Sequence, residues 1–327
     1  MAYLIEADTD NVIYLHAHHS FGRFQYSVDT LISDPSVSKI HTIIEWQGNE
    51  WQVRDLSRNG TWLNSKRLDK DHSQTLKLHD VIALPGNDGK QFKVANLDKP
   101  QDLLIVLDEY AKPTSEFICL ANYNLIPEES PEIAVFNQRE SGFWCFEHLD
   151  GPMLDHTILI ENDQLNDSQR SYQLHLSHLE EATALRDVSN TQLADLNFIF
   201  HLTLDEESAE LTVRGPGEEI DLHERCHHYL TLNLARYKAQ DAANGVHELS
   251  QGWVETEVIA RDLGIDSRYL NIQIHRARKQ FSDALAHIED ADSIIERKLR
   301  KVRFSASNFE IYKGHQLEES VKRASSN

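Results

Sequence analysis

The sequence predicts a multidomain chain: an all-β sandwich first, a β-rich middle segment, and an α+β helix-turn-helix domain last. Three observations predict it. Short alternating segments separated by turn residues fill roughly the first hundred positions. A strongly acidic, strand-like stretch follows them. Helical periodicity enters only after residue 222 and gives way again to alternating residues. At 327 residues the chain is too long for one ordinary core and long enough for two or three.

In the first segment, alternation shows in Ile43-Ile44-Glu45-Trp46 and Glu50-Trp51-Gln52-Val53. The breakers are Asp34-Pro35-Ser36, Gln47-Gly48-Asn49, Arg58-Asn59-Gly60 and Pro85 to Gly89. Many short strands at such spacing argue a sandwich over residues 1–98. Lys99-Pro100 punctuates its end.

Residues 99–197 form the middle segment. Leu103–Leu107 and Ile133–Phe136 read as strands, with Pro127 and Pro131 between them. A faint internal echo is present. Trp51–Leu56, Leu78–Ile82 and Phe92–Val94 resemble Trp144–Leu149, Leu154–Ile158 and Tyr172–Leu174. Two readings stay open, a degenerate copy of the first sandwich without its loops, or chance similarity among β segments.

Residues 198–315 make the third domain, followed by a flexible tail at 316–327. Its expected order is three short strands (Phe198–Leu204, Ala209–Val213, Glu219–Leu222), then a helix bearing Leu230, Leu234 and Tyr237. A helix at Val254–Leu263, a Gly264 break and a helix at Ser267–Ala286 come next, with Asp266 or Ser267 as cap. A hairpin near Lys301–Tyr312 closes it, with Val302, Phe304, Phe309 and Ile311 inward across a Ser305–Asn308 turn.

The net charge of −21 is unevenly spread, at −3 for residues 1–98, −20 for 99–224 and +2 for 225–327. A chain so acidic should not coat nucleic acid indiscriminately, although a local basic face is compatible with it. No apolar run approaches the roughly 20 residues of a membrane helix, and no secretory signal is visible. Cys119, Cys145 and Cys226 lie far apart, which reads as buried or free thiols in a reducing cytoplasm. His16-Ala17-His18-His19 has no neighbouring carboxylate or cysteine, so it reads as solvated histidines and no metal is expected. No phosphate-cradling glycine loop, carboxylate pair or nucleophile–histidine set is apparent, so neither a cofactor nor an enzyme is expected.

Three clusters of the first segment carry chemistry: Gly22-Arg23, Ser36–His41 and Asp55–Asn64. A phosphate dianion needs charge-assisted donors held rigidly. Arginine supplies a planar pair, and hydroxyl and loop N–H groups complete the cage. Asn-Gly is a turn former that would present its amide to a peptide.

Gly-Arg, then Ser-x-x-His, then Asn-Gly-Thr with a second Asn three residues on, in this order over about 85 residues, resembles the forkhead-associated (FHA) domain. The resemblance implies that Arg23 and Ser38 grip a phosphate, that Arg58 or Lys39 adds a contact, and that Asn59 holds the peptide main chain. It also implies that His41 braces the Ser38 loop and that Gly22, Gly60, Thr61 and Asn64 support the site. The implied ligand is phosphothreonine on a Ser/Thr kinase or its substrate. Lys39 stands where the family often has Arg or Asn.

Within Ser267–Ala286, Leu270, Ile274, Ala277 and Phe281 share one face. The opposite stripe holds Arg268, Asn271, His275, Arg278 and Lys279, residue types that bond base edges and phosphates. Arg300 and Arg303 follow in a basic run. Strands, three helices and a hairpin resemble the winged helix of response-regulator effector domains, which implies binding of double-stranded DNA by these residues. A solvated charged face used for protein contacts is the alternative. Sandwich first and winged helix last also resembles a class of bacterial FHA proteins. The combined expectation is a phosphothreonine-dependent transcriptional regulator, with a non-DNA-binding scaffold of a kinase or secretion complex as the alternative.

Overall fold

The computed structural model describes residues 1–86, 89–138, 141–150, 156–178, 191–288, 291–298 and 300–322. The chain divides into two compact units, Met1–Leu120 with Ile160–Ala184, and Ala121–Leu159 with Leu185–Asn327. The middle segment is therefore not a body of its own, as the sequence reading had it. It is shared between the two units.

The first unit starts with β1 (Tyr3–Glu6), β2 (Val12–Tyr14), β3 (His18–Gly22), β4 (Thr30–Leu31), β5 (Thr42–Gln47) and β6 (Glu50–Asp55). Then come β7 (Trp62–Leu63), β8 (Lys66–Arg67), β9 (Ser73–Thr75), β10 (Val81–Ala83) and β11 (Gln91–Asn96). They form two sheets, β2-β1-β11-β10-β7-β8 and β4-β3-β5-β6-β9. Alternation drives the burial. Trp51, Val53 and Asp55 of β6 point inward, and Glu50 is exposed while Gln52 and Arg54 are half-buried. Leu4, Phe21, Ile44, Trp51, Val53, Phe92 and Val94 share one core.

The middle segment supplies β12 (Leu103–Leu107), β13 (Pro113–Cys119), β14 (Tyr123–Ile126), β15 (Ile133–Gln138), β16 (Phe143–His148), β17 (Thr157–Leu159), β18 (Gln164–Asn166) and β19 (Ser171–His175). Its sheets run β13-β12-β19-β18 in the first unit and β14-β15-β16-β17 in the second. These orders repeat β2-β1-β11-β10 and β3-β5-β6-β9 strand for strand. Two of the three echoes fall on equivalent strands, β6 with β16 and β11 with β19. The third does not. Leu78–Ile82 leads into β10, whose equivalent is β18, whereas Leu154–Ile158 leads into β17 and begins outside the described residues.

The second unit continues with β20 (Asn197–Leu202), β21 (Ala209–Gly215), β22 (Glu218–Glu224) and α1 (His228–Ala243). β23 (Val254–Glu255), α2 (Thr256–Leu263) and α3 (Ser267–Ala284) follow. Gly264 caps α2 at φ 67°, the left-handed conformation that ends helices, and the Asp266 side chain accepts the Tyr269 N–H to start α3. Leu270, Ile274, Ala277 and Phe281 are fully buried, as their spacing requires.

The chain closes with β24 (Ile295–Lys298), β25 (Lys301–Phe304), β26 (Asn308–Lys313) and β27 (Gln316–Val321). Here the expected Lys301–Tyr312 hairpin is replaced by two. β25 pairs with β24 and β23, and β26 pairs in parallel with β20 and antiparallel with β27. The cause is Ile295, an apolar residue immediately before the charged run, which is buried and sits opposite Phe304. The tail is likewise corrected, since residues 316–321 form a strand; residues 323–327 lie outside the described residues. No helix of the described residues is long and apolar enough to cross a membrane.

Candidate functional site

The three loops expected to read phosphate meet at one end of the first sandwich. The Arg23 N–H donates to the Ser38 carbonyl at 3.0 Å, tying the loop after β3 to the Ser38 loop. The Arg58 N–H donates to the Ser38 hydroxyl at 3.2 Å, which brings in the third loop. Ser38 is thus the junction. Arg23, Lys39, Arg58 and Asn59 are all exposed around it.

Behind the junction the loops are braced from inside. His41 is fully buried; its Nδ1 accepts the Ser38 N–H at 2.9 Å and its Nε2 donates to the Gly60 carbonyl at 3.0 Å. Burial pushes this imidazole below its ordinary pKa, which keeps it neutral and able to accept on one side while donating on the other. Thr61 is also buried, bonded to Thr42 at 2.6 Å and to Asp55 at 2.9 Å. The Ser57 hydroxyl accepts the Gly60 N–H at 2.7 Å. Asn64 bonds Asp80 and the Val81 N–H, fixing the turn between β7 and β8.

Two glycines are required by geometry. A Cβ on Gly22 would lie 2.2 Å from the Lys39 carbonyl oxygen. Gly60 has φ +102°, and its Cβ would meet the Arg67 guanidinium at 2.4 Å.

Two expectations need adjustment. Lys39 places its ammonium over the Phe24 ring, 5.6 Å from the centroid, and so is directed along the loop. Asn59 donates one amide hydrogen to the Ser36 carbonyl at 2.6 Å, a bond that uses neither its second amide hydrogen nor its oxygen. The sequence reading missed Arg67 and Lys70. Both line a cavity of ≈ 570 Å³ with Ser38, Ser57 and Arg58, and Arg67 donates to the Asn59 carbonyl at 3.1 Å. The signal available was the Asn64-Ser65 turn, which folds the cationic Lys66-Arg67 pair back beside Trp62-Leu63.

The stripe assigned to DNA is largely occupied within the second unit. Asn271 is buried, donating to the Leu149 carbonyl at 2.8 Å, and His275 is buried, bonded to the Tyr123 hydroxyl at 2.6 Å. Ile272 packs with Tyr123, Leu125, Ala134 and Leu149, so β14–β16 cover this face of α3. Arg278 donates to the Ile295 carbonyl at 2.9 Å, and Lys279 pairs with Asp283 at 2.7 Å. Arg303 pairs with Glu296 at 2.7 Å and lies over the Trp253 ring at 4.6 Å. Only Arg268 and Arg300 of the seven are exposed. The physical reason is the acidic middle segment. Its β16 carries Glu147, which pairs with the buried Arg297 at 2.9 Å and draws α3 and β24 onto the sheet.

The three-histidine stretch His16–His19 is corrected too. His19 is buried, its Nδ1 accepting the His16 N–H at 3.2 Å and its Nε2 bonded to Thr30 at 2.8 Å.

Residues 19–85 match the FHA domain family. The FHA domain of MEK1 in complex with a HOP1 phosphothreonine peptide is 26% identical, with 29% of this chain and 97% of that chain covered at a TM-score of 0.25. The N-terminal FHA domain of Rad53p from S. cerevisiae, in complex with a phosphothreonine peptide, is 21% identical, covering 29% and 91% at a TM-score of 0.27. Mycobacterium tuberculosis EmbR, in complex with a low-affinity phosphopeptide, is 25% identical over 30% of this chain and 25% of that chain, at a TM-score of 0.27. No curated protein matches the chain. The segment that presents Arg23, Ser38, Arg58 and Asn59, residues 19–85, is an FHA domain.

Proposed function

We propose that this chain is a non-catalytic docking protein that binds a phosphothreonine-bearing partner through Arg23, Ser38 and Arg58. The partner is a Ser/Thr kinase or one of its substrates. The observation that carries this reading is the convergence of three loops on Ser38, with its N–H held by His41 and its hydroxyl beside the Arg58 N–H. A phosphate seated there meets the Ser38 hydroxyl and the guanidinium groups of Arg23 and Arg58, a donor set suited to a dianion. Asn59 reaches the peptide main chain with the part of its amide not given to Ser36. The FHA resemblance adds a pocket for the threonine methyl, and hence a preference over phosphoserine. Isothermal titration of paired phosphothreonine and threonine peptides, with Arg23→Ala as control, tests the reading.

For the output, the scaffold reading is the better supported. Asn271 and His275, which would enter a major groove, are buried against β14–β16. The regulator reading is favoured by one observation, the order of three strands, α1, β23, α2, α3 and the β24–β25 hairpin. An electrophoretic shift assay at low ionic strength, with and without phosphopeptide, separates the two. Salt-dependent binding of DNA supports the regulator, and its absence supports the scaffold.

A further inference from the structure

Outside the phosphate-reading loops, the fold of the first unit assembles a group of side chains that are far apart in sequence. His16 lies between β2 and β3, His175 ends β19, and Glu161 precedes β18. One ligand-capable atom from each falls within 4.8 Å of the others. His178 joins them, its ring centroid 4.8 Å from that of His16 and its Nε2 3.9 Å from Glu161.

A main-chain carbonyl beside one ring nitrogen of each imidazole favours the tautomer that leaves the other nitrogen's lone pair. His16 donates Nδ1–H to the Leu176 carbonyl at 2.8 Å, leaving the Nε2 lone pair. His175 donates Nε2–H toward the Leu15 carbonyl at 3.4 Å, leaving the Nδ1 lone pair. That lone pair faces a Glu161 carboxylate oxygen 3.4 Å away. A ring nitrogen and a carboxylate oxygen facing each other in this way are held together by a positive charge between them, a proton on Nδ1 or a metal ion. Ligands about 2.0–2.1 Å from a tetrahedral zinc ion stand about 3.3–3.4 Å from one another, the separation of the His175–Glu161 pair, and the His16 ligand atom lies within 4.8 Å of both.

The supports are those that metal-binding histidines require. Each ring gives its other N–H to a main-chain carbonyl, and Glu161 accepts the Leu176 N–H at 2.6 Å. The Ala17 N–H donates to the Ser177 carbonyl at 2.7 Å, so the segments around residues 16 and 176 clasp each other. His19 is excluded as a ligand, since both its ring nitrogens are engaged.

We infer that His16, Glu161 and His175 form a binding site for one divalent transition-metal ion of the zinc type. His178, more than half exposed, supplies the fourth ligand after a side-chain rotation. The ion staples the loop before β3 to the end of β19. Its role is structural and separate from peptide binding.

The test uses the full-length chain without an affinity tag, freed of metal by chelator and dialysis. Zinc is titrated against a chromophoric chelator, and cobalt is followed by visible absorption. The expected result is one tight equivalent of zinc, a raised melting temperature, and the intense absorption of tetrahedral cobalt. Glu161→Gln and His16→Gln weaken zinc binding at least tenfold with an unchanged circular dichroism spectrum. His18→Gln, at an exposed neighbouring histidine, leaves it intact. A wild-type chain that takes up no tight equivalent, or variants that bind as wild type does, would overturn the inference. Should a variant fail to fold, the wild-type cobalt spectrum decides, and absence of the tetrahedral band is then the contrary result.

Discussion

His41 holds Ser38 from behind: its buried Nδ1 accepts the Ser38 main-chain N–H at 2.9 Å while its Nε2 donates to the Gly60 carbonyl. One neutral ring therefore sets the distance between the loop that presents the serine and the loop that presents Arg58 and Asn59. It touches no ligand. His41→Ala should cost about 1–3 kcal/mol of stability, because the buried Gly60 carbonyl loses its donor. It should also weaken phosphopeptide binding about tenfold or more, through misplacement of Ser38. Urea unfolding and calorimetric titration of the same preparation check both effects.

Gly22 has no room for a side chain, since a Cβ there would sit 2.2 Å from the Lys39 carbonyl oxygen. Gly22→Ala must push the Lys39 backbone away and with it Ser38. A loss of about 1–3 kcal/mol is expected from such overpacking. Phosphopeptide affinity should fall more steeply than stability, as measured on material that is still folded by circular dichroism.

How far the site was legible in sequence follows from its dependence on local motifs. Arg23, Ser38, Asn59 and Gly60 each sit in a short turn motif that can be read locally, although only the sandwich brings the three loops together. Arg67 reaches the site only because β7 and β8 form a tight ladder, a pairing that two-residue strands do not announce. The second unit was less legible for a related reason. The amphipathic pattern of α3 located Leu270, Ile274, Ala277 and Phe281 in the core. It could not show that the opposite stripe has a second partner, because the covering sheet β14–β17 lies more than a hundred residues earlier. Polar side chains on a helix face look alike whether water or a carbonyl satisfies them.

Asn271 provides a test of that burial. Its amide donates to the Leu149 carbonyl from a fully enclosed position. Asn271→Ala should destabilise the chain by about 1–3 kcal/mol, the cost of a buried carbonyl left unpaired. Arg268→Ala, at an exposed position of the same helix, should change stability by less than about 0.5 kcal/mol. Equal effects of the two in thermal unfolding would contradict the covered face.

The pH dependence of stability follows from His275. Burial holds this ring to about 4, against an ordinary value of 6.5. Tyr123 of β14, Glu147 of β16, Arg297 of β24 and Arg278 on its own helix surround it. Between pH 6.5 and about 4 the unfolded chain binds a proton that the folded ring refuses, so stability falls as pH drops through this window. His227, also held to about 4 by burial, adds to the same slope. Melting temperatures at pH 7 and 5 should differ, and His275→Gln should flatten the difference without abolishing it.

The central claim is that the three loops around Ser38 read a phosphorylated threonine, and calorimetric titration tests it most directly. A degenerate library of phosphothreonine peptides is offered to the full-length chain beside its unphosphorylated twin, and to Arg23→Ala and Ser38→Ala. Saturable binding of the phosphorylated library alone is expected, weakened at least tenfold in each variant. Equal binding of both libraries, or binding indifferent to Arg23 and Ser38, would contradict the account.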